Sequence, residues 1–259
     1  MSSFIHSTFH NGVLTLTLNR ADKFNSFVRE MALALQEKLT AAETHKEVRA
    51  IVITGTGKAF CAGQDLAEAI DPKGPELTKI VSEHYNPIIK LIRKIEKPIV
   101  AAVNGVAAGA GANIALACDV VIATESASFI QAFSKIGLIP DSGGTFFLPR
   151  LIGFQKASAL MMLGDKITAT DAEKMGMIYS AVADAEFEAA VIKISEKLAQ
   201  MPTKGLGLTK RALNESYKNT LGDQLALEDK LQTEAGQSFD YQEGVNAFLE
   251  KRKPQFKGE

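Results

Sequence analysis

The 259-residue chain has few of the residues that mark secreted, metal-binding or nucleic-acid-binding proteins. It contains two cysteines and four histidines, and the positions of Cys61 and Cys118 do not match the spacing of metal ligands. Two cysteines form at most one disulfide, so we expect a reduced, cytoplasmic protein. The formal net charge of −1 lacks the positive excess that nucleic-acid binding requires.

The chain also lacks a recognisable export signal and a strongly apolar run. Its first residues, Met-Ser-Ser-Phe-Ile-His, do not place an apolar region after a basic one, as a secretory signal does. Residues 98–118 carry no charge, but they are rich in Ala and Gly and include Asn104 and Asn113. This composition favours a strand, a turn and a helix over a membrane span. We therefore expect a protein that stays inside the cell and binds neither nucleic acid nor membrane.

The residues that are present form an α/β pattern. The Asn11-Gly12 pair predicts a hairpin turn into a strand at 13–18. The short apolar runs at 50–54 and 99–103 predict strands that are covered on both faces, and helical patterns lie between them. Further strands are predicted at 120–123 and 128–131. Strands that alternate with helices in this way define an α/β fold class.

Helical patterns follow the strands and dominate after residue 155. Ser26 is predicted to cap the first helix, a second helix is predicted near 77–95, and Thr170 is predicted to cap a later one. Three helices are expected beyond Pro202. We divide the chain into an α/β catalytic core at 1–200 and a helical C-terminal region at 201–259.

The first segment that indicates chemistry is residues 55–66, Gly-Thr-Gly-Lys-Ala-Phe-Cys-Ala-Gly-Gln-Asp-Leu. It is not a phosphate-binding P-loop, because Val52 stands where the first glycine is needed and no Ser or Thr follows Lys58. Small residues at 62–63 would let a ligand approach the backbone N–H groups. A plain connecting loop is the alternative.

The second segment is residues 104–115, where glycines follow a predicted strand and precede a short helix. A dinucleotide-binding loop is disfavoured because Ile114 replaces the third glycine and the helix is too short for a crossover. The free N–H groups at the start of this helix could instead stabilise an oxyanion. Glycines that only permit close helix packing remain the alternative.

The third segment is residues 136–145, which place the single carboxylate Asp141 in a Pro-Asp-Ser-Gly-Gly turn between apolar residues. Apolar surroundings raise the pKa of a carboxylate and exclude water, so Asp141 could take a proton from carbon and return it. An Asp that only stabilises its own turn is the alternative.

These three segments, taken together, resemble motifs of the enoyl-CoA hydratase/isomerase (crotonase) family in the family's order and spacing. The resemblance covers nearly the whole chain and includes the C-terminal helix near 241–252. Segments at 63–66, 85–87 and 132–141 carry a finer resemblance to members that isomerise ring-epoxidised phenylacetyl-CoA in phenylacetate breakdown. The family resemblance implies a crotonase-like ββα spiral core, trimer-forming C-terminal helices and a CoA thioester substrate.

The resemblance also implies roles for individual residues. The thioester carbonyl would lie between the backbone N–H groups of Gln64 and Ala110, and Asp141 occupies the position of the family's catalytic aspartate. The residues expected to contact the CoA moiety are Lys23, Ala62, Gln64, Asp65 and Leu66.

Two positions depart from the hydratase pattern. Where hydratases carry their two catalytic glutamates, this chain has Asn113 and Phe133. A pair of carboxylates that activates water is therefore absent, and addition of water to a double bond is not expected. Some dehalogenases of the family use the aspartate as a nucleophile beside a histidine, and His84 is the candidate for that partner here.

The sequence thus predicts an acyl-CoA isomerase. A 1,2-epoxide on the ring of phenylacetyl-CoA would rearrange to a seven-membered oxepin through a thioester enolate, and a β,γ to α,β double-bond shift would use the same groups. We expect no metal, flavin or nicotinamide, and a homotrimer or a dimer of trimers. An aspartyl-ester dehalogenase or hydrolase and a non-catalytic crotonase-fold scaffold or RNA-binding protein are the alternatives.

Overall fold

The structure, a computed structural model, describes residues 4–259. The predicted absence of an export signal concerns a segment whose first three residues lie outside that range. Within it, no helix is both long enough and apolar enough to cross a membrane.

The strands are short and lie mainly in the first half of the chain. They are β1 (Ile5–His10), β2 (Val13–Leu18), β3 (Ala50–Gly55), β4 (Ala59–Cys61), β5 (Ile99–Val103), β6 (Val106–Ala108), β7 (Val120–Thr124), β8 (Ser128–Ile130), β9 (Lys166–Thr168) and β10 (Ser180–Val182).

The helices connect these strands and form the C-terminal part of the chain. They are α1 (Arg29–Thr44), α2 (Leu66–Ala69), α3 (Leu77–Lys79), α4 (Asn86–Lys94), α5 (Ala110–Ala117), α6 (Gly144–Ile152), α7 (Phe154–Leu163), α8 (Ala169–Lys174), α9 (Phe187–Gln200), α10 (Thr203–Ser216), α11 (Leu221–Gly236) and α12 (Phe239–Leu249). A π-helical turn, Ile80–Tyr85, joins α3 to α4.

The strands form two sheets, and the chain enters them in turn. The larger has the order β1-β2-β3-β5-β7-β10 and the smaller β4-β6-β8-β9. Each of β3, β5 and β7 lies in the larger sheet, the next strand enters the smaller sheet, and helices then return the chain for the following unit. The result is a spiral of ββα units, which confirms the predicted fold class. The hairpin between β1 and β2 turns at Asn11 and Gly12, both with positive φ, as predicted.

The central strands are buried on both faces because different helices cover each face. Ile51 and Ile53 of β3 belong to the main core, which also contains α1, α4 and α5. Val52, between them, points to the opposite face and packs in a second apolar cluster with α9. The apolar runs therefore reflect two-sided coverage of parallel strands.

Two predicted helix starts are wrong. The Phe27 N–H donates to the Gly63 carbonyl in an extended segment, so α1 begins later, after Val28, and the Ser26 hydroxyl accepts from Arg20 instead. Helix α8 is capped by Thr168, not Thr170, because its extended backbone ends β9 and its hydroxyl accepts the Asp171 N–H. The single helix predicted near 77–95 is broken by the π-helical turn.

The C-terminal helices α10, α11 and α12 follow Pro202 as predicted. The division of the chain at residue 200 stays a prediction.

Candidate active site

The loop that follows β4 is held against the entry to α1 by two backbone hydrogen bonds. The Phe27 N–H donates to the Gly63 carbonyl (2.7 Å), and the Asp65 N–H donates to the Phe27 carbonyl (2.9 Å). Gly63 has φ +91°, a value that favours glycine. Gln64 lies between these two bonds, and its own N–H donates to no acceptor within residues 4–259. This N–H is therefore free to bind a ligand.

The start of α5 lies directly against this loop. A Cβ placed on Gly63 would be 3.4 Å from the Ala110 nitrogen and 3.0 Å from the Ala108 oxygen. Ala110 is the first residue of α5 and follows Gly109, whose φ is +53°. The first N–H groups of a helix have no partner within the helix, and they lie at the positive end of its dipole. The structure thus brings the Gln64 and Ala110 segments together, as an oxyanion site requires.

Asp141 lies in a tight turn before α6. Ser142 and Gly143 have φ values of +52° and +74°, and the Asp141 carbonyl accepts the Gly144 N–H. Burial raises the pKa of the Asp141 carboxyl, and a hydrogen bond from the Ser142 hydroxyl (2.8 Å) partly offsets that rise. A carboxylate in this environment is a stronger base than an exposed aspartate.

Asn113 and Phe133, the two positions where the sequence resemblance places the glutamates of hydratases, carry side chains that cannot activate water. The Asn113 amide is engaged at both ends: its nitrogen donates to the Asp141 carbonyl (2.8 Å), and its oxygen accepts from Gln131 (2.8 Å). Phe133 is buried, and its ring lies 3.8 Å from the position of a Cβ on Gly109. Asn113 thus holds the Asp141 turn, and Phe133 makes the start of α5 apolar.

His84 does not join Asp141. Its imidazole is fully buried, and its Nε2 lies 3.3 Å from a nitrogen of Arg29. Burial lowers the pKa of His84, which favours the neutral ring. Within residues 4–259, the Asp141 side chain makes polar contacts with Ser142 and with its own backbone, so no histidine supports it as a nucleophile.

The residues expected to contact CoA are the loop at 62–66 and Lys23, which the fold brings next to that loop. The Ala62 N–H donates to the carbonyl of Phe24 (2.9 Å), which places exposed Lys23 beside this loop. The Asp65 carboxylate is already occupied, since it pairs with Arg20 (2.6 Å) and accepts the Ala67 N–H as the cap of α2. Leu66 is exposed. In this loop the backbone and the Lys23 ammonium, rather than Asp65, are available to a ligand.

Sequence reasoning did not identify three supporting residues. Arg20 pairs with Asp65, Ser142 hydrogen-bonds to the Asp141 carboxylate, and Tyr85 donates to Gln64. Ser142 could have been found, because a hydroxyl adjacent to a turn aspartate often bonds to it. The other two contacts join segments that are remote in the sequence. Among the described residues, no group of three or more His, Cys, Asp or Glu side chains is arranged to hold a metal ion.

The two thiols do not contribute a nucleophile. Cys61 and Cys118 are free and buried, and burial raises the pKa of each to about 12. Both therefore remain protonated at neutral pH.

The spiral of ββα units followed by C-terminal helices is the crotonase fold, which is shared by enoyl-CoA hydratases and isomerases. The chain belongs to the enoyl-CoA hydratase/isomerase family, whose model matches residues 8–259. It is an enzyme with an acyl-CoA isomerase or hydratase role, which sets aside the non-catalytic alternative.

Three relatives illustrate the similarity. The 1,2-epoxyphenylacetyl-CoA isomerase of Escherichia coli (strain K12) is 49% identical over 261 residues and 100% of both chains. A probable enoyl-CoA hydratase of Rhodobacter capsulatus is 46% identical over 95% of both. The crystal structure of an enoyl-CoA hydratase from Polaromonas sp. JS666 superposes with a TM-score of 0.90 at 34% identity, covering 97% of this chain and 99% of that one.

Proposed function

We propose that this enzyme isomerises an acyl-CoA through a thioester enolate. The N–H groups of Gln64 and Ala110 bind the thioester oxygen, and Asp141 removes a proton at or near C2 and returns it to the product. The CoA moiety contacts Lys23 and the backbone of residues 62–66. No metal, flavin or nicotinamide takes part in the proposed reaction.

The observation that carries this proposal is the environment of Asp141. Burial raises the pKa of the Asp141 carboxyl, and the amide of Asn113 holds the Asp141 turn by donating to the Asp141 carbonyl. Because Asn113 and Phe133 cannot deprotonate water, the site is better suited to moving a proton within the substrate than to hydration.

Stabilisation of the enolate oxygen is expected to be the largest contribution. One preorganised oxyanion donor commonly contributes about 3 kcal/mol to transition-state stabilisation. The free N–H of Gln64 and the unpartnered first turn of α5 support this assignment.

The proposed substrate is ring 1,2-epoxyphenylacetyl-CoA, and the product is 2-oxepin-2(3H)-ylideneacetyl-CoA. The six-membered ring opens at the carbon–carbon bond that the epoxide spans, so a seven-membered ring containing the oxygen forms with no change in atomic composition. Full-length similarity to an enzyme named for this substrate supports the choice. The corresponding biological setting is cytoplasmic phenylacetate breakdown.

A β,γ to α,β double-bond shift is the second candidate, because it needs the same enolate site and the same single base. An aspartyl-ester mechanism has less support, since His84 contacts Arg29 rather than Asp141.

The test is a panel of acyl-CoA substrates given to the purified enzyme, with products identified by mass spectrometry and NMR. The panel contains epoxidised phenylacetyl-CoA, a β,γ-enoyl-CoA, an α,β-enoyl-CoA and 4-chlorobenzoyl-CoA. We expect the oxepin product from the first substrate. Turnover of only the β,γ-enoyl-CoA would favour the second candidate, and a covalent adduct on Asp141 would contradict the proposed mechanism.

A further inference from the structure

Tyr85 is a buried tyrosine that the proposed mechanism does not use. It ends the π-helical turn Ile80–Tyr85, and such turns are frequent at functional sites. Its ring is fully buried and packs edge-on against Phe27, with 5.9 Å between ring centroids. Its hydroxyl donates a hydrogen bond of 3.0 Å to the side-chain oxygen of Gln64. Tyr85 therefore links the main core to the loop that carries a proposed oxyanion donor.

The Gln64 side chain is held at its other end as well. Its nitrogen donates to Glu68 (2.7 Å), and the second oxygen of Glu68 accepts the backbone N–H of Arg29 (2.9 Å). The two ends of the carboxamide are thus fixed by Tyr85 and Glu68, and both of these are anchored to helical segments. The side chain of Gln64 cannot rotate without breaking a hydrogen bond.

The backbone around Gln64 is equally constrained, except at one group. The residues on either side are bonded to Phe27, and the Gln64 N–H is the group left without an acceptor in the described chain. Because the neighbouring backbone groups and the side chain of Gln64 are all hydrogen-bonded, the Gln64 N–H is held in a single orientation. An oxyanion site is effective when its donors are aligned before the reaction begins.

We infer that Tyr85 is a positioning residue that aligns the Gln64 N–H with the substrate oxygen by holding the Gln64 side chain. This inference rests on the proposed function. Tyr85 acts through Gln64, to which its hydroxyl donates.

The charges around Tyr85 keep it in the donor form. Burial raises its pKa, and the nearby negative charges of Asp141 and Glu68 act in the same direction. The phenol therefore stays protonated at neutral pH and continues to donate to Gln64.

The test compares Tyr85→Phe, Gln64→Met and the double variant. Tyr85→Phe keeps the buried ring and removes the hydroxyl, whereas Gln64→Met keeps the backbone N–H and the side-chain length but removes the carboxamide. Tyr179→Phe is the matched control, because Tyr179 is exposed and remote in the sequence from this loop. Thermal unfolding monitored by circular dichroism checks that each variant folds.

The first readout is exchange of the C2 protons of phenylacetyl-CoA with deuterated water. We expect each single variant to lower kcat for exchange about 3- to 10-fold, as loss of one neutral hydrogen bond allows, with KM within about twofold of wild type. Both changes break the contact between Tyr85 and Gln64, and Gln64→Met also breaks the contact with Glu68. The double variant should therefore lose little more than Gln64→Met alone. Tyr179→Phe should match wild type.

The second readout is the infrared stretching frequency of the bound thioester carbonyl, labelled with carbon-13. A strong pair of donors lowers this frequency relative to the free ligand. We expect the lowering to be smaller in both single variants than in wild type.

The outcomes separate the two claims. If the wild-type enzyme neither exchanges C2 protons nor shifts the carbonyl frequency, the proposed function fails. If wild type does both and Tyr85→Phe is indistinguishable from it, the positioning role is wrong and the proposed function stands. Multiplicative losses in the double variant would also overturn the inference, since they would mean that Tyr85 acts independently of Gln64. If Tyr85→Phe does not fold, Gln64→Met is measured by the same two readouts. A kcat for exchange and a carbonyl frequency that both equal those of wild type would then overturn the inference.

Discussion

Two opposing effects act on the ionisation of the Asp141 carboxyl. Burial disfavours the carboxylate, whereas the hydroxyl of Ser142 donates to it and favours it. Burial makes the group a better base, and the hydrogen bond favours its ionised form. The pair therefore sets the pH range over which Asp141 can accept a proton.

Removing the hydroxyl of Ser142 should shift that range upward. In Ser142→Ala the carboxylate loses a stabilising hydrogen bond, so the pKa of Asp141 rises further. Because the base acts when ionised, the acid limb of the pH–rate profile should move to higher pH by up to about one unit, equivalent to about 1.4 kcal/mol. The profile of C2 exchange measures this shift. Ser216→Ala, a change at an exposed serine of α10, should leave the limb in place, and a downward shift in Ser142→Ala would contradict the assignment.

Asn113 and Phe133 lead to a second prediction at this scale. The amide of Asn113 is occupied by Asp141 and Gln131, and Phe133 has no proton to exchange. We therefore expect negligible hydration of crotonyl-CoA, measured as loss of the enoyl absorbance. A rate typical of hydratases, about 10 per second or faster, would rule out the isomerase assignment.

At the scale of elements, the start of α5 depends on its close approach to β4. A Cβ placed on Gly111 would lie 2.7 Å from the Cys61 sulfur and closer still to the Cys61 carbonyl oxygen. No side chain fits there without moving the helix away from the strand. The N–H of Ala110 would move with it.

Gly111→Ala should therefore lower both stability and catalysis. Overpacking of this kind typically costs about 1–3 kcal/mol of unfolding free energy, which urea denaturation measures. The control is Gly205→Ala in α10, where a Cβ meets only Pro202 at ordinary distance, and where alanine should stabilise the helix by about 0.5–1 kcal/mol. Equal stability of Gly111→Ala and wild type would show that the contact does not constrain α5.

Elements with strong local signals were predictable from the sequence. The hairpin at Asn11-Gly12 and the buried runs of β3 and β5 follow from turn chemistry and from continuous apolar residues. Strands β4, β6, β9 and β10 were missed because each has three residues and pairs with a strand far away in the sequence. The first helix was placed too early because Phe27, apolar and at helical spacing, is held in an extended segment by Gly63.

The candidate site shows the same limit. Gln64, Ala110 and Asp141 stand in motifs that can be read locally, and their assigned roles stay predictions. The hydrogen bond between Tyr85 and Gln64 joins residues 21 positions apart through a π-helical turn. No local pattern predicts where such a turn directs a side chain. The contact between Tyr85 and Gln64 can therefore be identified only from the three-dimensional structure.

On the scale of the whole molecule, the C-terminal helices expose large apolar side chains. Such a patch is uncommon on the surface of a monomeric protein. Phe248 and Leu249 of α12 are 82% and 72% exposed, and Val245 is 40% exposed. All three border a cavity of about 550 Å³ between α10, α11 and α12. Exposed apolar patches of this kind mark association surfaces.

These exposed residues call for an association partner, and the family resemblance implies trimer-forming C-terminal helices, so we expect a trimer or a dimer of trimers in solution. Sedimentation velocity at micromolar concentration should show a species of three or six times 27.9 kDa. Phe248→Asp should weaken the assembly, while Lys251→Asp, at an exposed residue in the turn that follows α12, should not. A wild-type protein that sediments as a single 27.9 kDa species would contradict this expectation.

The most direct test of proton transfer by Asp141 is the effect of Asp141→Asn on C2 exchange. The substitution preserves the shape of the side chain, an acceptor for Ser142 and the backbone carbonyl that Asn113 holds. It removes only the base. Phenylacetyl-CoA should therefore bind with an affinity close to that of wild type, while exchange with deuterated water falls by about 10²- to 10⁴-fold or more, the range of general acid–base catalysis. If Asp141→Asn binds the ligand and keeps more than about a tenth of the wild-type exchange rate, a loss smaller than that range, Asp141 is only a turn residue and the proposed mechanism is wrong.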